Sequence, residues 1–525
     1  MKLKQLLKSK LTQKELELVP SSFEVVGSIL IFSDFPKELE KKEKIIGNVL
    51  LKELNNVKTI CKKTKKYSGI YRTPLLKIIA GEKTKETRYK ENNVTLKLDI
   101  EKVYFSSRLG NERLRITNLV NQKEDVLVMF SGCGVYPVEI AKKAKSVVGI
   151  EINPIAHKYA LENLKINKIK NVSLYLGDVN NVLPRLEAQG IALKSRWNKK
   201  NLLPKLKQNP SIIEFYMPKG DIESDKQLKK IDKTIKQLAK KNIKVMIHAP
   251  HFYKKLEYIC LAQKDFKPIL QCMKRLNQLK KNNDNVIGYI FHSIDAGFKG
   301  KYKEELLLQN LRTIEKEGLM ENLYVENSDL PLFGTKKSIV SLIKNTGIKN
   351  ICFDFAHYLI INRKLSVKEY KEITSKINTY NHIVNHKAGV HCCELMKGDL
   401  DFKKFAEHLD FGSIEIYSKD EVTAKEQIKS YHYFLSIKPK KTFDRILMPL
   451  PKSAEDFLDL ALSRAKKGTI IHFYDFLNER DFSLAEKKIS KACNKAKMKF
   501  KVLDFVKCGH FGPGVFRVCV DFKVL

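Results

Sequence analysis

The sequence predicts an α/β chain: a doubly wound sheet interrupted by an inserted (β/α)8 barrel and preceded by a small α/β module. Three observations predict it. A buried strand, a glycine turn and a helix open a strand–helix alternation over residues 91–189. Residues 190–438 then carry eight short apolar strands separated by helical stretches, and about 250 residues is the size of such a barrel. Over residues 439–525 the doubly wound pattern resumes. A barrel's termini lie close together, so inserting it at a host loop distorts the host little.

Residues 1–90 alternate basic helices with short strands. Phe23–Phe32 reads as one strand with a glycine break, Lys37–Leu54 as a helix and Val57–Cys61 as a strand. In the host, strands are expected at Val126–Phe130, Val147–Glu151 and Val172–Leu176, with helices at Val138–Ala144 and Ala156–Asn167. The barrel strands are expected at Ile191–Lys194, Ser211–Tyr216, Lys244–His248, Val286–Phe291, Leu323–Glu326, Ile351–Phe355, Ala388–His391 and Ile414–Ile416. The last stretch reads as strand Arg445–Met448, helix Ser453–Lys466, and strands Gly468–Tyr474 and Val515–Val524.

Composition narrows the function classes. Hydrophobic residues make up 43% and charged residues 30%, which excludes wholesale disorder. No apolar run reaches the roughly 18 residues that span a bilayer, and Met1–Lys10 lacks an apolar stretch behind its lysines. A soluble, cytoplasmic protein without a membrane partner is expected, with a monomer favoured. The net charge of +39 points to a polyanion, by default nucleic acid. Abundant Lys, Ile and Asn with Trp197 as sole tryptophan offer compositional bias as the alternative. The ten cysteines form no C-x-x-C pair and read as buried reduced thiols.

The host carries a nucleotide-binding pattern. Phe130, Ser131, Gly132 and Gly134 form a turn that lets a ligand approach a helix N-terminus. Glu151 ends the second strand, where a carboxylate accepts ribose hydroxyls, and Asp178 follows the third, placed for an adenine amino group. Together these suit S-adenosylmethionine.

Six further motifs occur in order: Tyr71-Arg-Thr-Pro74, Ile79-Ala-Gly-Glu82, Val103-Tyr-Phe-Ser106, Asn111-Glu-Arg-Leu-Arg-Ile116, Gly149-Ile-Glu-Ile-Asn-Pro154 and Met448-Pro-Leu-Pro-Lys-Ser-Ala454. This string resembles the archaeal and eukaryotic tRNA (guanine-N1)-methyltransferase family, which modifies the guanosine 3′ of the anticodon. The resemblance covers roughly Ser21–Leu186 and Thr442–Leu525. It implies a class I S-adenosylmethionine-dependent methyltransferase fold, with tRNA as partner. It makes Glu112 the base that removes the guanine N1 proton and Arg72 the cation that steadies charge on O6. It also implies RNA contacts by Arg108, Arg113, Arg115 and Lys452, and cofactor contacts by Asn153 and Pro449. A surface ion pair is the plain alternative for Glu112 and Arg113.

Three departures stand out. Val128 occupies a place where many methyltransferases carry an acid. Pro449 replaces the asparagine of an N-L-P-K motif, so backbone carbonyls around Met448–Leu450 substitute for its side chain or the guanosine differs. A further N-terminal domain that touches the tRNA elbow in the family is expected to lie outside this sequence.

The insert holds nine of the twelve histidines. His248, His292, His357 and His391 lie at or just after expected strand ends, as do Glu326, Asp354 and Glu415. Imidazole and carboxylate at the carboxyl end of a barrel suit a divalent ion such as zinc or manganese. The V-E-N, D-x-x-H and later His and Glu resemble the xylose isomerase-like barrels, which include endonuclease IV-type apurinic-site nucleases and sugar isomerases or epimerases. That resemblance makes these seven residues the metal candidates. Gly398-Asp-Leu-Asp401 lacks the D-x-H histidine of the nucleases, so one or two metals are expected. Two alternatives to the methyltransferase reading remain. In one, a metal-dependent isomerase, epimerase or nuclease-like hydrolase uses the host as an RNA-binding scaffold. In the other, the barrel is a non-catalytic RNA-docking module.

Overall fold

The computed structural model describes residues 3–250, 252–253, 257–294, 304–387, 390–416, 421–450 and 452–525. Two compact units emerge: Met1–Pro184 with Lys441–Leu525, and Arg185–Lys440.

In the first unit, a four-stranded sheet joins Glu24–Val26, Ile29–Phe32, Thr59–Ser68 and Thr73–Gly81. The single strand expected over Phe23–Phe32 is in fact an antiparallel hairpin. Gly27 turns it at φ +58°, and a Cβ there would sit 2.1 Å from the Arg88 carbonyl oxygen, so only glycine fits. The expected helix Lys37–Leu54 splits into a 3-10 turn, Lys37–Lys42, and an α-helix, Glu43–Glu53. Ile46 and Leu50 of that helix are fully buried, in one apolar cluster with Leu30, Ile60 and Ile79 of the sheet.

The host sheet has seven strands. Their order is Phe500–Gly512, Val515–Val524, Ala465–Asn478, Phe443–Met448, Asp125–Val128, Ser146–Glu151 and Val172–Leu176. The last five are parallel, and Val515–Val524 runs antiparallel to both its neighbours. The chain order reverses between Asp125–Val128 and Phe443–Met448, so a crevice is expected at their carboxyl ends. Strand Phe500–Gly512 and helix Ser483–Lys495 escaped the sequence reading. The expected helix over Ser453–Lys466 stops at Leu462, and Ala465 already begins a 14-residue strand.

In the second unit, eight parallel strands close a barrel: Ile191–Ser195, Ile212–Tyr216, Lys244–His248, Val286–His292, Leu323–Glu326, Asn350–Asp354, Asn378–Ile383 and Gly412–Ile414. Seven overlap the expected strands. The seventh does not: Asn378–Ile383 takes that place, whereas Val390–Cys393 pairs with Asn385–Lys387 in a separate hairpin. The interior is filled by Ala192, Ile212, Met246, Ile290, Tyr324, Cys352 and Tyr380.

Candidate functional site

Two groups of chemically competent side chains stand out, one in each unit.

In the host, Gly134 caps the helix Val135–Ala141 at φ +85°, with Ala160 Cβ 2.9 Å from where its own Cβ would lie. Glu151 ties this turn to the next strand: Oε2 accepts from Gly132 N at 2.7 Å and Oε1 from Asn153 N at 2.8 Å. Burial raises the pKa of Glu151, and the two amides oppose that rise. Phe130 meets the Phe457 ring edge-on at 4.9 Å, and Ser131 is buried. Asp178 caps the short helix Val179–Val182, accepting from Asn180 N at 2.8 Å. Pro449 is half-buried after the fourth strand, and the Met448 carbonyl there accepts from Leu450 N at 2.7 Å. Asn153 corrects a cofactor expectation. Its Oδ1 caps the helix Pro154–Ile166, its Nδ2 donates to the Lys102 carbonyl, and the residue is 3% exposed. It braces the turn rather than facing a ligand.

Glu112 lies in the first turn of the helix Gly110–Leu119 and is buried. Arg115, one turn on, grips it through two bonds of 2.8 Å, and the Tyr474 hydroxyl donates to Oε1 at 2.6 Å. Tyr474 in turn meets the Tyr136 hydroxyl at 3.2 Å, on the helix that the glycine turn opens. Arg72 adopts φ +50° and donates to Ser453 Oγ at 3.0 Å, reaching the Met448–Ala454 motif from the N-terminal module.

Two of the expected RNA contacts are engaged within the protein. Arg113 is 2% exposed and holds the Glu91 carboxylate with two bonds, its remaining donors reaching the Ser106 carbonyl. Arg115 spends its donors on Glu112 and Asp521. Both guanidinium groups bind the protein's own acids. Arg108 and Lys452 are exposed.

At the carboxyl end of the barrel, each strand places a polar residue two positions after an interior one. Strand alternation makes this a ring: Lys194, Glu214, His248, His292, Glu326, Asp354, His382 and Glu415. Glu326 is the hub, 1% exposed. Its Oε2 lies 3.2 Å from His248 Nε2 and 3.1 Å from His292 Nε2, and its Oε1 lies 2.9 Å from His382 Nδ1. His357, on the helix after Asp354, comes within 3.7 Å of Glu326. His382 also meets Glu415 at 3.1 Å, Glu214 at 3.3 Å and Asp354 at 3.5 Å. Lys194 bonds Glu415 at 2.6 Å and pairs with Glu214 at 3.3 Å.

The charges explain the titration. Burial opposes ionisation of Glu326, but His292 and His382 hold its carboxyl well below the usual range. Burial opposes protonation of His357, yet Asp354 and Glu326 raise it to about 9. Among the described residues, donor atoms of Glu326, His248 and His292, and of Glu326, Asp354 and His357, lie within 4.8 Å of one another. This mixed nitrogen and oxygen set fits a zinc- or manganese-type ion.

Six of the seven metal candidates therefore converge. The seventh, His391, stands in the separate hairpin, and its side chain lies outside the described residues. His382 replaces it on the true seventh strand. Lys194, Glu214 and His382 were missed; the alternation of the first two expected strands marks Lys194 and Glu214, whereas His382 stands on a strand that was not expected.

Comparison with known proteins finds similar sequences and structures. The family model of the TRM5/TYW2 methyltransferase domain matches residues 87–246 and 425–503. The chain carries a TRM5/TYW2 methyltransferase domain. The model of the TYW2 N-terminal domain matches residues 3–84, just before this TRM5/TYW2 domain. Trm5b of Pyrococcus abyssi, a tRNA (guanine(37)-N(1))-methyltransferase, is 44% identical over 160 residues, 30% of this chain and 48% of that protein. Its crystal structure aligns with a TM-score of 0.46 at 20% identity, over 98% of this chain and 78% of that one. Taw22 of Nanoarchaeum equitans, a tRNA (guanine(37)-N(1))/4-demethylwyosine(37)-methyltransferase, is 42% identical over 158 residues, 30% of this chain and 52% of that protein. The chain thus spans about half the length of these curated relatives. A D-tagatose 3-epimerase-like protein aligns over 47% of this chain and 98% of its own, at 19% identity and a TM-score of 0.36. Among the described residues, no helix is long and apolar enough to cross a membrane.

Proposed function

We propose that the TRM5/TYW2 domain transfers a methyl group from S-adenosylmethionine to N1 of the guanosine 3′ of the anticodon in tRNA. The observation that carries this reading is Glu112: a buried carboxylate held in one orientation by Arg115 and Tyr474, and linked through Tyr136 to the glycine turn. S-adenosylmethionine supplies the methyl group. Phe130, Gly132, Gly134, Glu151, Asp178 and Pro449 would hold it at the sheet's switch point. Guanine N1 must lose its proton as the methyl arrives, and Glu112 accepts it. Arg72 offsets charge growing on O6. The relatives named above support the tRNA substrate, and the Taw22 name adds 4-demethylwyosine as a second acceptor to assay. The test is methyl transfer to tRNA transcripts bearing guanosine or adenosine 3′ of the anticodon. Equal labelling of both would reject the reading.

For the barrel we propose a divalent metal site held by Glu326, Asp354, His248, His292, His357 and His382. The reason is electrostatic. Buried Glu214, Glu326 and Asp354, with Glu415 beside them, face one fixed cation, Lys194, and otherwise only histidines, whose compensating charge depends on protons. Such an ion polarises a carbonyl or hydroxyl oxygen, as isomerases and hydrolases require. Metal analysis of the purified chain tests it, and the Glu326→Gln/Asp354→Asn chain should lose the metal.

A further inference from the structure

Behind Glu112 and Arg115 runs a polar chain, Asp521, His472, Arg445 and Glu124, that neither the motifs nor the proposed mechanism uses. Arg115 divides its guanidinium between two carboxylates: Glu112, and Asp521 at 2.6 Å on the strand Val515–Val524. Asp521 accepts from His472 Nδ1 at 2.6 Å and from the Cys519 thiol at 3.2 Å. Arg445 lies 2.7 Å from His472 Nε2 and holds Glu124 through its Nε. An arginine has only donors, so His472 Nε2 must accept and Nδ1 must carry the proton toward Asp521. His472, Cys519 and Asp521 have the ligand types of a metal site, but guanidinium groups close the triad at both ends.

We propose that Asp521 and Tyr474 are positioning residues that set the basicity of Glu112 in opposite senses. A carboxylate locked to an undivided guanidinium is a weak base, because the cation favours its ionised form. Asp521 draws part of that cation away and adds a negative charge nearby, so it strengthens Glu112 as a base. The Tyr474 hydroxyl donates to the ionised form and weakens it. The remaining groups facing Glu112 are Tyr136, Cys508 and Cys519. Burial raises the pKa of all three, as it does that of Tyr474, so they stay neutral. Burial lowers the pKa of His472 against the opposing pull of Asp521, with Arg445 and Arg115 adding to the fall, so the chain behind Asp521 carries its positive charge on arginine. The same balance gives Arg115 a purpose that RNA contact does not explain.

The inference rests on Glu112 being the base, and the experiment separates the two. The full chain is assayed for methyl transfer to a tRNA transcript across pH at saturating S-adenosylmethionine and tRNA. Asp521→Asn should move the acid limb of the rate profile down by about one pH unit and lower the plateau about threefold. Tyr474→Phe should move the limb up. Calorimetric affinity for S-adenosylmethionine should stay within twofold in both, which a general loss of structure would not allow. An unmoved limb in Asp521→Asn, or shifts of the same sign in both variants, overturns the proposal. If Asp521→Asn does not fold, Tyr474→Phe decides, and a limb that fails to rise counts against it. A Glu112→Gln chain that methylates normally would instead overturn the base assignment.

Discussion

The host and the barrel both bury carboxylates, and they compensate them differently. In the host, four acids meet arginines of the same unit: Glu91 meets Arg113, Glu112 and Asp521 share Arg115, and Glu124 holds Arg445. The barrel ring sets four acids against Lys194 and histidines whose charge depends on protons. A guanidinium keeps its charge at any working pH, whereas imidazole can release its proton to make room for an ion. One cluster is neutralised by arginines, and the other largely by groups whose charge depends on protons.

Four measurements break or sharpen that contrast. The largest effect is expected at Glu112, where replacement by Gln keeps the shape and removes the base. Turnover should fall by about two to four powers of ten with S-adenosylmethionine affinity unchanged. Single-turnover methylation checks this, and near-normal rates would dissolve the contrast from the host side.

Next comes Arg113→Met, which leaves Glu91 buried beside Glu139 without its guanidinium. Burial, with Glu91 adding to it, already raises Glu139 to about 8. Removing one partner of a buried pair should cost about 3–5 kcal/mol, read by denaturant unfolding. A loss under 1 kcal/mol, on the order of an exposed pair, would show that the host does not depend on its fixed cations.

In the barrel, added zinc or manganese at a hundredfold excess over its Kd should stabilise the unit by about 2.7 kcal/mol. Glu326→Gln should abolish that gain. Protonated His357 competes with the ion. Its folded pKa of about 9 lies above the usual value, so the stability contributed by the protonated form is complete below about pH 6.5 and lost as pH rises through 9. Metal should therefore stabilise the barrel more at pH 8 than at pH 6. A gain independent of pH would mean that the histidines are not the exchanging groups.

The smallest effect is expected at Glu151→Ala. S-adenosylmethionine should bind about 1.5–3 kcal/mol more weakly, the range for a hydrogen bond to a charged group. An unchanged Kd by calorimetry would leave Glu151 a brace for the Gly132 turn and nothing more.

The sequence by itself determined the kind of fold and the order of its parts. Glycine turns after buried strands marked the host, and eight apolar strands marked the barrel. Glu112, Glu151, Glu326 and Asp354 were legible because each stands in a short motif or at a strand end. Tertiary structure decided the partners. Arg113 and Arg115 read as RNA contacts because Glu91 and Asp521 lie 22 and 406 residues away from them; Glu112 stands three residues before Arg115, but only folding brings Glu91 to Arg113 and Asp521 to Arg115. It also decided the seventh barrel strand. Asn378–Ile383 looks too polar for a barrel wall, and Val390–Cys393 looks more apt. Yet the buried Asn381 donates from Nδ2 to the Phe411 carbonyl while its Oδ1 accepts from Tyr370. Polar side chains satisfied in this way can be buried at little cost, which no local pattern reveals. That strand carries His382, so a histidine outside the seven metal candidates came to sit among Glu214, Glu326, Asp354 and Glu415.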